Sequence, residues 1–539
     1  MKKTFSLFAM AALAAMPKLC AAPYVWVGPE GTGGSGEWDI PTNWSPNTSF
    51  PNSIADTATF GVGTTGVNTD TAAGVMLPGE ERTVASITQT SDAAGYRIKG
   101  AFDSVLRVNS ITNNRVTTAD ANNAPSNTTS FFSINYTPTL GSSAGGISAA
   151  TVGGTLTLNS ANISEIRDAS NVLAGNIGVN NTTMGVTVQS GVWFFGGALN
   201  AAQGDSVSNT YTGTTTVSGG ILILNKQGGA TSIDGPVLIN GGTLRAGRSG
   251  NVGASTTITV TSGTLAYGSD LSFASLNISS EGRLPFSNGL GLTLSGALTL
   301  ANNNGVATGF AGYAIGQSGN PRTWSVNSLN LSNNAVIGAG GSAAGQTVSR
   351  TLRIGEGGLE FSGGTTTGIS ADPGAGMGGL ISLGGNIAVT GDTTVATITS
   401  STVAGAVAST LDLQDATRTF NIASGGTLRI ANNNSAVNIV VANGGINKTG
   451  LGLLTLGGGT FDTVANTYAG LTTVSAGTLR LNKEADTAAV GGSLHVSLNG
   501  SLAGNGAVNG PTTISGSIRP GFNTGIEPAV SVGTLTVAN

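Results

Sequence analysis

Hydrophobic and polar residues alternate in short segments along this chain. The clearest pattern occurs twice, as NTYTGTTTVSGGILILNK at residues 209–226 and as NTYAGLTTVSAGTLRLNK at residues 466–483, and thirteen of the eighteen positions are identical. In both copies Val and Leu alternate with small polar or charged residues, a period of two that is typical of β-strands. Each strand should therefore have one apolar face and one polar face.

A glycine precedes the second strand of each copy, Gly220 in the first and Gly477 in the second. Glycine adopts the left-handed or tight conformations with which a chain turns a corner. After the second corner, Leu479 and Leu481 are predicted to line a core and Arg480 to be exposed. One such unit cannot bury its apolar face alone, so repeated units must stack on one another.

Glycine corners of this kind recur at nearly constant spacing. If Gly220, Gly242, Gly263 and Gly282 are equivalent, the steps between them are 22, 21 and 19 residues, which is the length of one solenoid coil. No helix start or stop pattern competes with the strand pattern. The sequence therefore predicts an all-β protein, a right-handed parallel β-helix (β-solenoid) that occupies residues 62–539.

Residues 23–61 differ from the rest of the chain, because three of the five tryptophans, Trp26, Trp38 and Trp44, fall within this short segment. Large aromatic side chains are more often buried than exposed, which favours an aromatic-rich N-terminal cap. Such a cap would cover the otherwise unpaired edge of the first coil. The alternative is a carbohydrate site, since exposed tryptophans stack on sugars.

The motif N-T-Y-x-G, T-T-V, G-T-L-x-L resembles the autotransporter-associated β-strand repeat of bacterial surface proteins. The second copy matches over residues 446–483, including the lead-in INKTGLGLLTL, in which a lysine and glycines open a strand. The first copy, residues 186–226, matches mainly in its second half, because its lead-in carries Trp193-Phe194-Phe195 and no lysine. The resemblance implies a passenger-like β-solenoid that is located at the cell surface, and it implies no catalytic residue.

Residues 1–22 are predicted to be a secretory signal peptide, cleaved just before Pro23. The only cysteine, Cys20, falls inside this segment, so the mature chain would contain no thiol. An exported chain without disulfides must gain its stability from repetitive packing. The features that mark the signal are the basic Lys2 and Lys3, the apolar segment Thr4–Met16 and the small residues Ala21 and Ala22.

Composition supports short strands joined by glycine corners, since 85 of 539 residues are Gly and only 9% are charged. A net charge of −4 with 22 Lys and Arg argues against a nucleic-acid partner, which needs a basic surface to neutralise phosphates. After the signal, no run of about 18 apolar residues predicts a transmembrane segment. The chain ends without the strands of an outer-membrane barrel, so anchoring is expected through a missing downstream part, unless the protein is released.

No catalytic, cofactor-binding or metal-binding residue is predicted. His495, the only histidine, lies between Leu494 and Val496, which should point inward and leave the imidazole outward. The hydrolase-like GSSAG at residues 141–145 lacks a surrounding strand–turn–helix pattern. Residues 457–462 (GGGTFD) depart from the calcium nonapeptide, and residues 374–379 (GAGMGG) open no helix that could bind phosphate.

An enzymatic alternative is a polysaccharide lyase or hydrolase, since parallel β-helices can carry carboxylates on an outer face. The candidates are Asp412, Asp415 and Arg418. Asp412 should face outward, but Asp415 lies three residues further on and does not share its strand face. Solvated surface charges are therefore the favoured interpretation.

The predicted function is that of an exported bacterial surface protein, a structural or adhesive β-solenoid stalk acting through its extended repetitive surface. Its expected partners are extracellular glycans or cell surfaces, with no cofactor. The alternative is a polysaccharide-degrading or polysaccharide-binding β-helix protein. The sequence leaves the oligomeric state open.

Overall fold

The structure of the chain is a computed structural model. It describes residues 22–28, 36–61, 74–77, 81–91, 97–100, 105–114, 133–135, 146–161, 171–173, 175–196, 206–284, 290–301, 313–314, 322–338, 350–364, 367–371, 379–400, 409–431, 439–459, 462–520 and 535–537. The predicted signal peptide, apart from Ala22, lies outside these ranges.

Most of the described residues form β-strands, and their one helical element is a 3₁₀ turn at Pro41–Asn43. No helix among them has the length and apolar character needed to cross a membrane. The strands pair side by side in long parallel sheets, which confirms the predicted all-β parallel β-solenoid. The chain divides into two compact units, one of residues 1–200 and 209–213 and the other of residues 201–208 and 214–539.

The described residues of the first unit form fifteen strands. They are β1 (Pro23–Trp26), β2 (Gly36–Glu37), β3 (Trp44–Ser45), β4 (Ser53–Phe60), β5 (Gly74–Leu77), β6 (Glu81–Gln89), β7 (Arg97–Gly100), β8 (Val105–Asn113), β9 (Ser133–Asn135), β10 (Gly146–Ser148), β11 (Thr155–Ser160), β12 (Asn171–Leu173), β13 (Asn176–Ile177), β14 (Gly185–Val188) and β15 (Val192–Gly196). One parallel series runs β4, β6, β8, β11, β14 and another runs β5, β7, β9, β12, β15.

The first unit begins with the aromatic cap. Strand β1 pairs in parallel with β4 and in antiparallel with β3, so the chain folds back across the first coil. Trp26, Trp38 and Trp44 are all buried, with ring centroids of Trp38 and Trp44 4.8 Å apart. This confirms the predicted cap. Because no more than 3% of any of these side chains is exposed, they present no ring face on which a sugar could stack.

The second unit contains the remaining described strands. They are β16 (Thr215–Val217), β17 (Ile221–Asn225), β18 (Val237–Ala246), β19 (Thr257–Tyr267), β20 (Leu271–Phe273), β21 (Ser275–Arg283), β22 (Leu292–Ala301), β23 (Tyr313–Ala314), β24 (Arg322–Ser332), β25 (Val336–Gly338), β26 (Arg350–Ser362), β27 (Thr367–Ala371), β28 (Leu380–Leu383), β29 (Ile387–Thr390), β30 (Val395–Ser400), β31 (Ser409–Asp412), β32 (Thr417–Ile422), β33 (Thr427–Ile430), β34 (Ile439–Ala442), β35 (Gly445–Thr449), β36 (Leu453–Leu456), β37 (Thr472–Val474), β38 (Gly477–Asn482), β39 (Ala488–Val490), β40 (Leu494–Val496), β41 (Gly500–Val508), β42 (Thr512–Ile514), β43 (Ser517–Pro520) and β44 (Leu535–Val537).

Three faces are clearest in the later coils of this unit. Face 1 consists of β29, β32, β35, β37, β40 and β42 in parallel succession. Face 2 consists of β30, β33, β36, β38, β41 and β43. Face 3 consists of β28, β31 and β34. The chain passes from face 1 to face 2 to face 3 and back, which completes one coil.

The predicted coil length holds for the first coils of this unit. Leu222 pairs with Leu244 and Leu244 with Leu265, steps of 22 and 21 residues, and Gly263 pairs with Gly282, a step of 19. Later coils vary more. The step is 31 residues from Leu298 to Leu329, 33 from Ile387 to Phe420 and 18 from Val496 to Ile514. The additional residues lie between strands that remain in register, so the core is preserved.

The inward positions of both repeat copies are buried, as predicted. They are Val217, Leu222 and Leu224 in the first copy and Val474, Leu479 and Leu481 in the second, each with 0% of its surface exposed. Arg480 points outward but is half-buried rather than fully exposed, because it lies within the parallel sheet of face 2.

The glycine corner at Gly477 depends on the absence of a side chain. Its φ is +70°, a left-handed conformation, and a Cβ there would lie 2.5 Å from the carbonyl oxygen of Gly450 in the preceding coil. A distance under 3.0 Å forces one backbone to move. The corner glycine therefore sets how closely two coils approach.

Candidate binding surface

The outward positions of the second unit form a polar row that follows the stacked coils. Thr259 pairs with Asn277, Asn277 with Thr299, and Thr299 with Asn330. Parallel strands lie about 4.8 Å apart, so each polar side chain lies one strand spacing from the next. The same register continues through Glu360, Asn421 and Thr449, and the apolar Ala388 interrupts it between Glu360 and Asn421.

Two neighbouring pairs of side chains along the polar row are hydrogen-bonded to each other. Asn330 Nδ2 donates to Thr299 Oγ1 at 3.3 Å, and Thr449 Oγ1 donates to Asn421 Oδ1 at 3.3 Å. These hydrogen bonds hold the side chains along the row and leave further donor and acceptor positions open to solvent. The surface is therefore a regular array of weak hydrogen-bonding groups.

His495 lies in a similar outward row on face 1, between Thr473 and Thr513 on the neighbouring coils. Its two chain neighbours, Leu494 and Val496, are buried, so the predicted orientation of the imidazole is correct. It forms no hydrogen bond or ion pair with a described residue. A catalytic histidine is oriented by a partner that accepts its second N–H, and no described residue has that role here.

The structure does not bring Asp412, Asp415 and Arg418 together as reacting groups. Asp412 Oδ1 accepts from the backbone N–H of Gln414 at 2.9 Å and from Asn443 Nδ2 at 3.0 Å. Asp415 is exposed and lies at a turn, with φ of 52°.

Arg418 is bound to the backbone instead of to either carboxylate. Its Nε donates to the carbonyl oxygen of Leu413 at 3.0 Å, and its Nη1 donates to that of Gly384 at 2.6 Å. The guanidinium therefore connects two coils.

The asparagine of the N-T-Y motif bridges three coils. Asn466 is buried, its Oδ1 accepts from the backbone N–H of Val441 at 3.1 Å, and its Nδ2 donates to the carbonyl oxygen of Ala489 at 2.7 Å. In the first copy Asn209 Oδ1 accepts from the backbone N–H of Ile177 at 2.9 Å. A buried amide that pairs with neighbouring backbone satisfies groups that would otherwise be orphaned. The recurrence of N-T-Y was the available sequence signal for this role.

The lysine of the lead-in lies in the core of the solenoid. Lys448 is in register between Phe420 and Val474, both inward residues, and none of its surface is exposed. Its Nζ donates to the carbonyl oxygens of Thr449, Gly450 and Ala476 at 2.8, 2.7 and 3.1 Å. Burial lowers the pKa of Lys448 to about 8. The sequence identified this lysine as part of a motif. It did not indicate that the ammonium group lies in the core and binds the backbone carbonyl oxygens of the glycine corner.

The lysine that ends the second repeat is also buried. Lys483 Nζ donates to both carboxylate oxygens of Asp462, at 3.1 and 3.0 Å, and to the carbonyl oxygen of Val464 at 2.6 Å. Burial lowers the pKa of Lys483, and the charge of Asp462 opposes that shift. Asp462 is the aspartate of the calcium-like GGGTFD segment. Its carboxylate neutralises the buried Lys483.

Some candidate segments lie outside the described residues. These are the GSSAG segment at 141–145 and all of the GAGMGG segment except Gly379. Among the described residues, no three His, Cys, Asp or Glu side chains are grouped so that they could hold a metal ion. Comparisons of the chain with protein families, with curated proteins and with solved structures found no match.

Proposed function

We propose that this protein is an exported bacterial surface protein that acts through its repetitive outer surface, as an adhesive or structural solenoid. The observation that carries the proposal is the polar row, in which outward Thr and Asn side chains lie in register on successive coils. Repeated weak contacts on one scaffold give avidity without a deep pocket.

Export and surface address are supported by the sequence. The amino-terminal segment has the basic, apolar and small-residue parts of a secretory signal. The resemblance of residues 446–483 to the autotransporter-associated repeat supports a passenger-like role. In this proposal the parallel coils are a scaffold and the ligand is a glycan or cell surface.

The polar row can be tested by graded substitution in the full-length protein. Thr259, Asn277, Thr299 and Asn330 would be changed to Ala singly, in pairs and all together, and adhesion to cells or immobilised glycans measured. Each lost contact should weaken binding by about 0.5–1 kcal/mol, roughly two- to fivefold, so the losses should accumulate. Because these side chains point outward, the circular dichroism spectrum should not change.

Two substitutions serve as matched single-site controls. His495→Ala and Asp412→Ala each remove an outward side chain away from the row, and binding should survive both. If either one abolished adhesion while the fold remained intact, a single-site protein would replace the proposal, with a polysaccharide-acting β-helix as the first candidate. If the fourfold variant bound like the unchanged protein, the polar row would not be the adhesive surface.

A further inference from the structure

Face 2 carries a second outward row, in which every other residue is an arginine. Arg429 pairs with Thr455, Thr455 with Arg480, Arg480 with Ala503, and Ala503 with Arg519. The three arginines therefore project from β33, β38 and β43, with one uncharged position between each pair. We call Arg429, Arg480 and Arg519 the arginine row.

The positive charges of the arginine row are not neutralised by the described part of the chain. No described residue forms an ion pair or hydrogen bond with any of the three guanidinium groups, and Arg429 Nε is buried with no partner. In contrast, Arg82 pairs with Asp39 at 3.4 Å and Arg107 pairs with Glu81.

Neighbouring charge and burial both act on Arg429. Burial is the larger cause that lowers the pKa of its guanidinium, and the positive charge of Arg480 lowers it further. Two like charges that affect each other across one intervening coil, without a carboxylate between them, leave a local positive potential. An anion bound at the solvent-facing nitrogens of the two guanidinium groups would reduce this repulsion.

The distance between successive arginines favours some polyanions over others as ligands. Strands lie about 4.8 Å apart, so arginines on every second coil are about 9.6 Å apart and the row spans about 19 Å. A nucleic-acid strand carries a phosphate about every 3.4 Å, so most of its charges would find no partner on this row. A polymer with one charge per disaccharide has more widely separated anions and suits the row better.

The residues beside the arginines suit a carbohydrate. The outward position two residues before each arginine is a hydroxyl residue, Thr427, Thr478 or Ser517. On the two intervening strands the same row has Leu453 on β36 and Ser501 on β41. Guanidinium groups bind carboxylate and sulfate through paired N–H donors. Hydroxyl groups alongside can bind the sugar hydroxyls of the same polymer.

We propose that the arginine row binds an anionic polysaccharide laid along the stacked coils, with one carboxylate or sulfate at each arginine. This inference rests on the proposed function, since it requires the outer surface to be the binding surface, and it names the chemical class of one ligand.

The test measures binding of the full-length protein to immobilised hyaluronan, which has one carboxylate per disaccharide, and to chondroitin sulfate, which adds a sulfate. Dextran is the neutral comparator and a single-stranded oligonucleotide the phosphate comparator. Arg480→Gln should weaken polysaccharide binding about three- to tenfold, and the triple Gln variant should lose it. Arg480→Lys, which keeps the charge but not the paired donors, should retain part of the affinity.

The matched control is Arg245→Gln, which removes one exposed outward arginine whose row neighbours are Ile223 and Ala266. Polysaccharide binding should be unchanged in this variant. Equal losses from Arg245→Gln and Arg480→Gln, unchanged binding of the triple variant, or failure of the unchanged protein to bind either polysaccharide would overturn the inference. Oligonucleotide binding through the same arginines, as tight as the polysaccharide binding, would also overturn it.

Adhesion measured on the same variants separates this inference from the proposed function. If the inference fails while substitutions in the polar row still give graded losses, the proposed function stands without this ligand. If adhesion depends on one residue outside both rows, the proposed function itself fails.

Discussion

The buried ion pair between Lys483 and Asp462 offers a sharp test of how the repeat stabilises its coil. Only 1% of each side chain is exposed. The carboxylate also accepts from the backbone N–H groups of Gly458 and Val464, at 2.9 and 3.3 Å. Asp462→Ala would leave the Lys483 ammonium buried, with the carbonyl oxygen of Val464 as its one remaining described acceptor.

The expected loss arises from that uncompensated charge. Removing one member of a buried pair costs about 3–5 kcal/mol, so Asp462→Ala should reduce the free energy of unfolding by about that amount. Lys483→Met should cost less, because the carboxylate of Asp462 retains two backbone N–H donors. The double variant leaves no buried charge and should recover much of the loss, which gives a coupling free energy well above zero.

Urea unfolding monitored by circular dichroism measures these free energies. Because a coil of a solenoid can open without its distant neighbours, hydrogen exchange at the amides of β36 and β38 should report the same order of stabilities locally. Glu484→Ala is the matched control, since this exposed carboxylate adjoins Lys483 and its removal should change stability by less than about 0.5 kcal/mol. An Asp462→Ala variant as stable as the control, or single losses that simply add in the double variant, would refute a stabilising role for the ion pair.

Three further predictions concern the same repeat. The pKa of Lys448 is about 8 in the fold and about 10.4 in an unfolded chain, so the unfolded state binds more protons between these values and stability should rise with pH across that window, by at most about 3 kcal/mol. Unfolding curves at pH 8 and pH 10 should show this rise to be smaller in Lys448→Met, and an equal rise in both proteins would contradict the assignment. Tyr468→Phe removes a buried hydroxyl that lies 2.9 Å from Thr472 Oγ1, and it should cost about 1–2 kcal/mol in urea unfolding; a neutral effect would show that this bond contributes nothing. Leu479→Ala should cost about 2–5 kcal/mol while Arg480→Ala stays near neutral, and equal losses from the two would mean that the face assignment is wrong.

The fold was predictable because the strand pattern has a period of two and the corner pattern has a period near one coil. Both are local signals, so Leu479 and Leu481 could be assigned to the core and the steps from Gly220 to Gly282 could be measured without a structure. The longer coils were not predictable in the same way. Their additional residues lie between strands, where hydrophobic alternation carries no information.

The contributions of Lys448 and Asp462 could not be read from the sequence. A lysine at an inward position contradicts the expectation that charged side chains face solvent, and it is tolerated because three carbonyl oxygens accept from its Nζ. Those acceptors include Ala476, which lies on the next coil. The arginine row could not be predicted from the sequence for a similar reason. Arg429 and Arg480 are far apart in the chain, and only the register of the stacked strands brings them close together.

The register of outward side chains on successive coils is the central structural claim, because both proposed surfaces depend on it. The chain has a single cysteine, Cys20, so a Cys20→Ser background permits clean disulfide mapping. The pair Thr299→Cys and Asn330→Cys replaces residues that lie side by side, in register, on the adjacent parallel strands β22 and β24. This pair should form a disulfide under mild oxidation, since its Cα atoms should lie about 4.8 Å apart.

The control pair is Thr299→Cys with Ser332→Cys, which also points outward but is displaced by two residues along the strand. Its Cα atoms should lie about 8 Å apart, beyond the reach of a disulfide. Mass spectrometry of the proteolysed protein measures both yields. A high yield for the first pair and almost none for the second is the predicted result; cross-linking of the second pair in place of the first would contradict the register on which the rows depend.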